Sequence, residues 1–205
     1  MDKGLFITFE GPDGCGKSTQ IKMFADYLRA QGCEVVMTRE PGGTPISEKI
    51  RGIIMDSENK TECDICEMLL FAAARSQHVY ELIKPSVAAG KIVLCDRFVD
   101  SSIAYQAYGR GLGDQVEIVN NFAIQGMLPD ITFFLNISAE EGRKRNTGTG
   151  KEDRLEKEAL DFHNKVYEGY LKIAEKNKDR FVMIDASKTK EEVFEEIKKA
   201  YEQRK

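Results

Sequence analysis

Gly11-Pro12-Asp13-Gly14-Cys15-Gly16-Lys17-Ser18 is a glycine-rich loop of the pattern Gly-x4-Gly-Lys-Ser. Glycine lets backbone N–H groups turn inward around phosphate oxygens. The helix that follows adds its dipole and its free N-terminal N–H groups. Lys17 is placed to reach the β- and γ-phosphates of a nucleoside triphosphate, and Ser18 to put its hydroxyl on Mg²⁺. The bland alternative is a Gly-rich turn with a solvated lysine. The motif does not say what the phosphoryl group is used for. A second feature is Ile92-Val93-Leu94-Cys95-Asp96, an apolar run ending in a carboxylate. In a parallel sheet such an end lies at the ligand-binding edge. Asp96 there holds a metal through water or orients the transferring phosphate. Against this stands a helix cap or an ion pair with Arg97.

Arginines and aromatics are dense between the first and third predicted strands. Phe71, Arg75 and His78 fall on one helix face. Phe71 alone reads as core, but an arginine is costly to bury without a partner. A flat ring over a base, with a guanidinium donating to the base carbonyl, accounts for both. Arg39, Arg51 and Arg97 are then available for a monophosphate, whose oxygens suit the arginine fork. A GTP switch is disfavoured, because Asn164-Lys165-Val166-Tyr167 lacks the Asp of a guanine-binding segment and lies in a helix pattern. A motor or helicase core would be larger. Cys63-x-x-Cys66 is a single weak pair, read as two small residues near a helix start rather than a redox or metal site. His78 and His163 belong to no zinc-like cluster.

Alternating elements must position these groups. Strands are expected at Leu5–Phe9, Glu34–Thr38, Ile92–Cys95, Ile131–Ile137 and Phe181–Ile184. Helices are expected at Lys17–Arg29, Ile46–Ile54, Cys63–Ala89 with a kink at Pro85, Gln115–Gln125, Ala139–Arg145, from about Arg154, and at Lys190–Tyr201. Arg39–Pro45 reads as loop, Asp100–Gly113 as loop plus a helical turn, and Asn146–Lys151 as a flexible polar segment. Such alternation predicts an α/β, three-layer sandwich with a mostly parallel sheet, most simply of five strands.

The chain has 205 residues, and 41% are hydrophobic and 31% charged, a globular mixture suited to one domain. A net charge of −4 argues against non-specific binding to nucleic acid. The N-terminal apolar run reaches Glu10 too soon for a signal peptide or a membrane span. Five cysteines without a regular framework predict reduced thiols and a cytoplasmic setting.

Five segments make a family resemblance specific. They are Phe9–Gln20, Thr38-Arg39-Glu40-Pro41-Gly42-Gly43, Phe71-Ala72-Ala73-Ala74-Arg75, Asp96–Gln106 and Asp153-Arg154-Leu155-Glu156. In these segments and their spacing the chain resembles the bacterial thymidylate kinases, and the likeness spans essentially the whole chain. The block from Asp96 to Gln106 is the most diagnostic. The resemblance implies a single P-loop kinase domain over residues 1–205 and strand order 2-3-1-4-5. It implies ATP and dTMP as substrates, Mg²⁺ bound at Ser18 and Asp96, a homodimer, and a place in dTTP synthesis.

By the same resemblance, residues 11–19 (Gly11, Pro12, Asp13, Gly14, Cys15, Gly16, Lys17, Ser18, Thr19) hold ATP with Arg143, which faces the adenine, and Arg154. Asp13 approaches the acceptor's 3′-hydroxyl and phosphate. Phe71 stacks on thymine, Arg75 donates to its O4, and Ser101, Ser102 and Gln106 lie near it. Tyr105 packs beside the deoxyribose, Pro41 shapes the loop above the acceptor, and Arg39, Arg51 and Arg97 surround its phosphate. Lys17, Arg97, Asp96, Asp13 and Arg145 form the implied catalytic set. A lid at about 144–154 closes over the donor phosphates. Gly14 follows Asp13 where some members carry arginine, so the catalytic cation is expected from the lid, which offers Arg145, Lys151 and Arg154. Rival readings are a kinase for dUMP, dCMP or another acceptor, and a nucleotide-binding module without turnover.

Overall fold

The computed structural model describes residues 4–59, 63–146 and 154–204. One parallel sheet has the order β2-β3-β1-β4-β5, as expected. Its strands are β1 (Phe6–Glu10), β2 (Val35–Arg39), β3 (Ile92–Asp96), β4 (Ile131–Asn136) and β5 (Phe181–Asp185). β1 is buried at every position, and β3 and β4 at all but the last; the edge strands β2 and β5 are only partly buried. Continuous apolar runs are what a strand needs when helices cover both its faces.

Side chains alternate across a strand, so the adjacent Phe133 and Phe134 of β4 enter opposite layers. Phe133 meets Phe9 and Phe24 at ring separations of 5.3 and 5.8 Å, beneath α1 (Lys17–Ala30) and α9 (Lys190–Glu202). Phe134 stacks at 5.1 Å on Tyr170 of α8 (Leu160–Lys176). Full burial of each phenylalanine is worth about 1.5–3 kcal/mol. Phe6 and Phe98 meet edge-on at 4.9 Å in a third cluster.

Between β2 and β3 lie α2 (Pro45–Met55) and α3 (Asp64–His78), the latter running on through a wide π turn at Val79–Ile83 into α4 (Lys84–Ala88). The wide turn sits just before Pro85, which has no N–H to give the Glu81 carbonyl and whose ring would crowd it. The expected kink therefore takes the form of a π turn.

Two stretches differ from expectation. Residues 99–109 are helical throughout rather than loop plus a helical turn, as α5 (Val99–Ser102) continuing into a π turn at Ile103–Gly109. Ala104, Tyr105 and Gln106 are buried there, and Ala104 and Tyr105 pack with α8. Packing overrides a Ser-, Tyr- and Gly-rich composition. The helix expected from Arg154 begins only at Leu160. Residues 154–157 form turns, with Arg154 Nε donating to Ile54 O at 3.1 Å and Glu158 paired with Arg110 at 2.6 Å. Helices α6 (Gln115–Ala123) and α7 (Ala139–Asn146) complete the described set.

Register brings Phe9 beside Asp96. The loop after β1 and the chain after β3 therefore leave the sheet side by side at its carboxyl edge. Gly11 has φ +141°, and a Cβ there would stand 2.6 Å from Leu135 O. No side chain fits at that turn.

Candidate active site

Lys17 opens α1 directly after Gly16, whose φ of +95° turns the chain into the helix. Lys17 is buried, and its Nζ donates to the carbonyls of Gly11 and Pro12 at 3.1 and 2.9 Å. Ser18 Oγ donates to Asp96 Oδ2 at 2.9 Å. A hydroxyl and a carboxylate thus meet at the mouth of the loop, hard oxygen donors of the kind Mg²⁺ prefers. Among the described residues, no group of three or more His, Cys, Asp or Glu side chains could hold a metal. Cys15 is buried with Sγ 3.7 Å from Lys17 Nζ, and burial raises its thiol pKa.

Arg97 follows β3 with φ +68°, a conformation that costs a non-glycine residue about 1–3 kcal/mol. Its Nη2 donates to Asp13 Oδ1 at 2.6 Å, and its Nη1 to Ser101 Oγ and Tyr170 OH at 3.2 and 3.1 Å. Tyr105 lies beneath the guanidinium at 5.1 Å and donates to Asp13 Oδ2 at 3.3 Å. Desolvation would raise the Asp13 pKa, but Arg97 and Lys17 overcome it and hold the carboxyl well below its ordinary range. Glu10, at the end of β1, accepts from Phe98 N–H, Ser101 Oγ and Tyr170 OH at 2.7, 2.6 and 2.9 Å. Burial and the nearby Asp100 push its pKa up to about 7.

A single cavity of about 530 Å³ runs from this loop to Phe71. Asp13, Gly14, Gly16, Lys17, Ser18 and Thr19 of the loop line it, and Gly11, Pro12 and Cys15 do not. Asp96 and Arg97 stand at the middle. Arg39, Pro41 and Arg51 form one wall, where Arg39 and Arg51 both donate to Pro41 O at 3.2 and 2.9 Å. Phe71, Ser101, Ser102, Tyr105 and Gln106 line the cavity as well. Arg145, on α7, also lines the cavity while donating to Ala186 O at 2.8 Å.

Three further expected site residues do not line this cavity. Arg75 is behind the wall and 1% exposed, with Nε on Glu40 at 2.8 Å, Nη1 on Ser102 and Asn120, and Nη2 on Phe98 O. Its burial has a protein counter-charge, so no base carbonyl is needed to account for it. Arg143 is exposed on α7. Arg154 donates to Glu67 Oε2 at 2.8 Å as well as to Ile54 O. Of the expected lid, residues 147–153, including Lys151 and Asp153, lie outside the described residues.

Several side chains join the site unannounced. Glu10 carries the same signal as Asp96, an apolar strand ending in a carboxylate. Glu40 sits within a quoted motif and bridges Arg75 to His78 Nδ1, 2.9 Å away. Tyr170 carries none, because its helical spacing reads simply as core.

A family model, described as thymidylate kinase, matches residues 9–197. The chain belongs to the thymidylate kinase family. A thymidylate kinase of Clostridium novyi (strain NT) is 48% identical over 201 residues, covering 97% of this chain and 98% of the relative. Another, of Geobacillus sp. (strain WCH70), is 51% identical over 195 residues, covering 94% and 93%. Among solved structures, the thymidylate kinase of Ehrlichia chaffeensis superposes with a TM-score of 0.79 at 35% identity, covering 98% of this chain and 99% of that one. Membership carries the family's activity, phosphoryl transfer from ATP to dTMP. No helix among the described residues is long and apolar enough to cross a membrane.

Proposed function

We propose that the thymidylate kinase reaction of this chain, ATP + dTMP → ADP + dTDP, is divided between two parts of the cavity at the phosphate loop. The donor part is the loop with Lys17 and Ser18; the acceptor part is Phe71 and Tyr105 with Arg39, Arg51 and Arg97. The observation that carries this is that both sets line a common space, with Asp13 of the loop bonded to Arg97. An acceptor phosphate oxygen attacks the γ-phosphorus in line. It is already anionic, so no strong general base is required, and catalysis is positioning and charge neutralisation. Asp13 aims Arg97 at the acceptor phosphate. Arg145 supplies positive charge from α7, and Arg75 acts on the base pocket through Ser102. Ser18 and Asp96 would hold Mg²⁺, which supplies charge neutralisation on the donor phosphates when bound.

A second copy of the chain is the partner we infer. Ile65 and Leu69 on α3 and Ile118 and Phe122 on α6 are half or more exposed, Phe122 to 80%, on helices that pack together. Apolar faces of this kind favour self-association. The five cysteines are free, which suits the reducing cytoplasm.

A coupled ADP-release assay with Mg²⁺ and dTMP, dUMP, dCMP, dGMP or UMP tests the reading. Preferred turnover of dTMP is expected. Preference for another acceptor overturns the substrate assignment, and turnover of none leaves a nucleotide-binding module.

A further inference from the structure

Gln106 lines the cavity and is 1% exposed, yet its Oε1 has no hydrogen-bond partner among the described residues. Buried acceptors are rarely left so. The other end of the same amide explains the orientation. Gln106 Nε2 donates to Glu67 Oε1 at 2.9 Å. Glu67, on α3, is also 1% exposed. It accepts from Arg110 through Nε at 3.3 Å and Nη2 at 2.9 Å, and from Arg154 Nη2 at 2.8 Å. Burial alone would raise the Glu67 pKa; the hydrogen bonds from Arg110, Gln106 and Arg154 reverse that and hold it below the ordinary value.

An ionised carboxylate only accepts hydrogen bonds. A flipped Gln106 amide would set its oxygen against that carboxylate in a low-dielectric wall, where the repulsion is strong. The amide therefore has one orientation, with nitrogen toward Glu67 and the unpartnered oxygen on the opposite side.

We propose that Glu67 is a positioning residue for base selection, pinning Gln106 so that Oε1 is an obligate acceptor for the ring N3–H of the nucleobase. Thymine and uracil carry that hydrogen; cytosine presents a lone pair there and meets oxygen with oxygen-like repulsion. This rests on the acceptor-site reading above, which places a base at Gln106, and it adds the residue that decides which end of the amide the base meets. Arg110 and Arg154 take part only by keeping Glu67 charged and full.

The test is the ratio of kcat/KM for dTMP over dCMP in the full-length enzyme, its Glu67→Gln and Gln106→Met variants, and the double variant. In Glu67→Gln the arginines take the new amide's oxygen, its N–H group faces Gln106, and Gln106 turns its own nitrogen to the base. The ratio is expected to fall about 10- to 100-fold, the range for a buried unpaired group, chiefly through a higher KM for dTMP. Gln106→Met should lower it similarly, and the double variant no further. A merely structural role for Glu67 would lower both substrates together. An unchanged ratio in Glu67→Gln, or an additive fall in the double variant, overturns the proposal. If Glu67→Gln fails to fold, Glu67→Asp keeps the charge for the arginines but withdraws the oxygen from Gln106. The same fall is expected there, and an unchanged ratio overturns the proposal equally. Wild-type enzyme without dTMP turnover would instead overturn the acceptor-site reading itself.

Discussion

Arg97 Nη2 and Asp13 Oδ1 stand 2.6 Å apart although 84 positions separate them in the chain. The contact ties the end of β3 to the middle of the phosphate loop, the two strands being neighbours in the sheet. It also holds the guanidinium over Tyr105 despite the strained backbone of its residue. Removing the carboxylate should release that aim. Asp13→Ala is expected to lower kcat/KM for dTMP about 100-fold, the scale of a small misplacement of a catalytic group. Steady-state kinetics checks this, and a loss under threefold would refute it.

Lys17 is buried against the loop carbonyls and has no role in the core. Lys17→Ala should therefore keep the fold, read by circular dichroism, while turnover falls about 100-fold or more, as when a transition-state donor is lost. Near-normal turnover would contradict the assignment.

Glu10 gives a pH dependence of stability. Its pKa rises from 4.5 to about 7 on folding, through burial first and Asp100 second. Between these values the native state keeps a proton that the unfolded state has lost, so this group's contribution to stability falls as pH rises from about 4.5 to about 7. Glu10→Gln removes that slope, because an amide does not titrate. The Tm difference between variant and wild type should move in the variant's favour by a few degrees from pH 5 to pH 8. A pH-independent difference would sink the prediction.

Phe122 is 80% exposed on α6, a helix that packs on α3. Phe122→Glu should shift the protein from dimer to monomer in sedimentation velocity without lowering helical content. A wild-type monomer at micromolar concentration would remove the basis for the interface.

The sheet order and the acceptor residues Pro41, Ser101, Ser102, Tyr105 and Gln106 were expected from the family resemblance alone; the chain's own pattern of residues was enough for the alternating strands and helices and for the phosphate loop. These depend on local periodicity and on motifs whose spacing is rigid: a glycine loop between strand and helix can only open at the carboxyl edge of the sheet. Where Arg75 and Arg154 spend their donors was settled by packing, since the carboxylates that claim them, Glu40 and Glu67, arrive from segments distant in the chain. Tyr170 shows the same limit, a core ring by its spacing whose hydroxyl reaches Glu10 160 positions away. Composition likewise misjudged part of residues 99–109, because the burial of Ala104 and Tyr105 that favours helix there exists only once α8 is in place. Charge pairing and burial are properties of neighbours in space, and a sequence lists only neighbours along the chain.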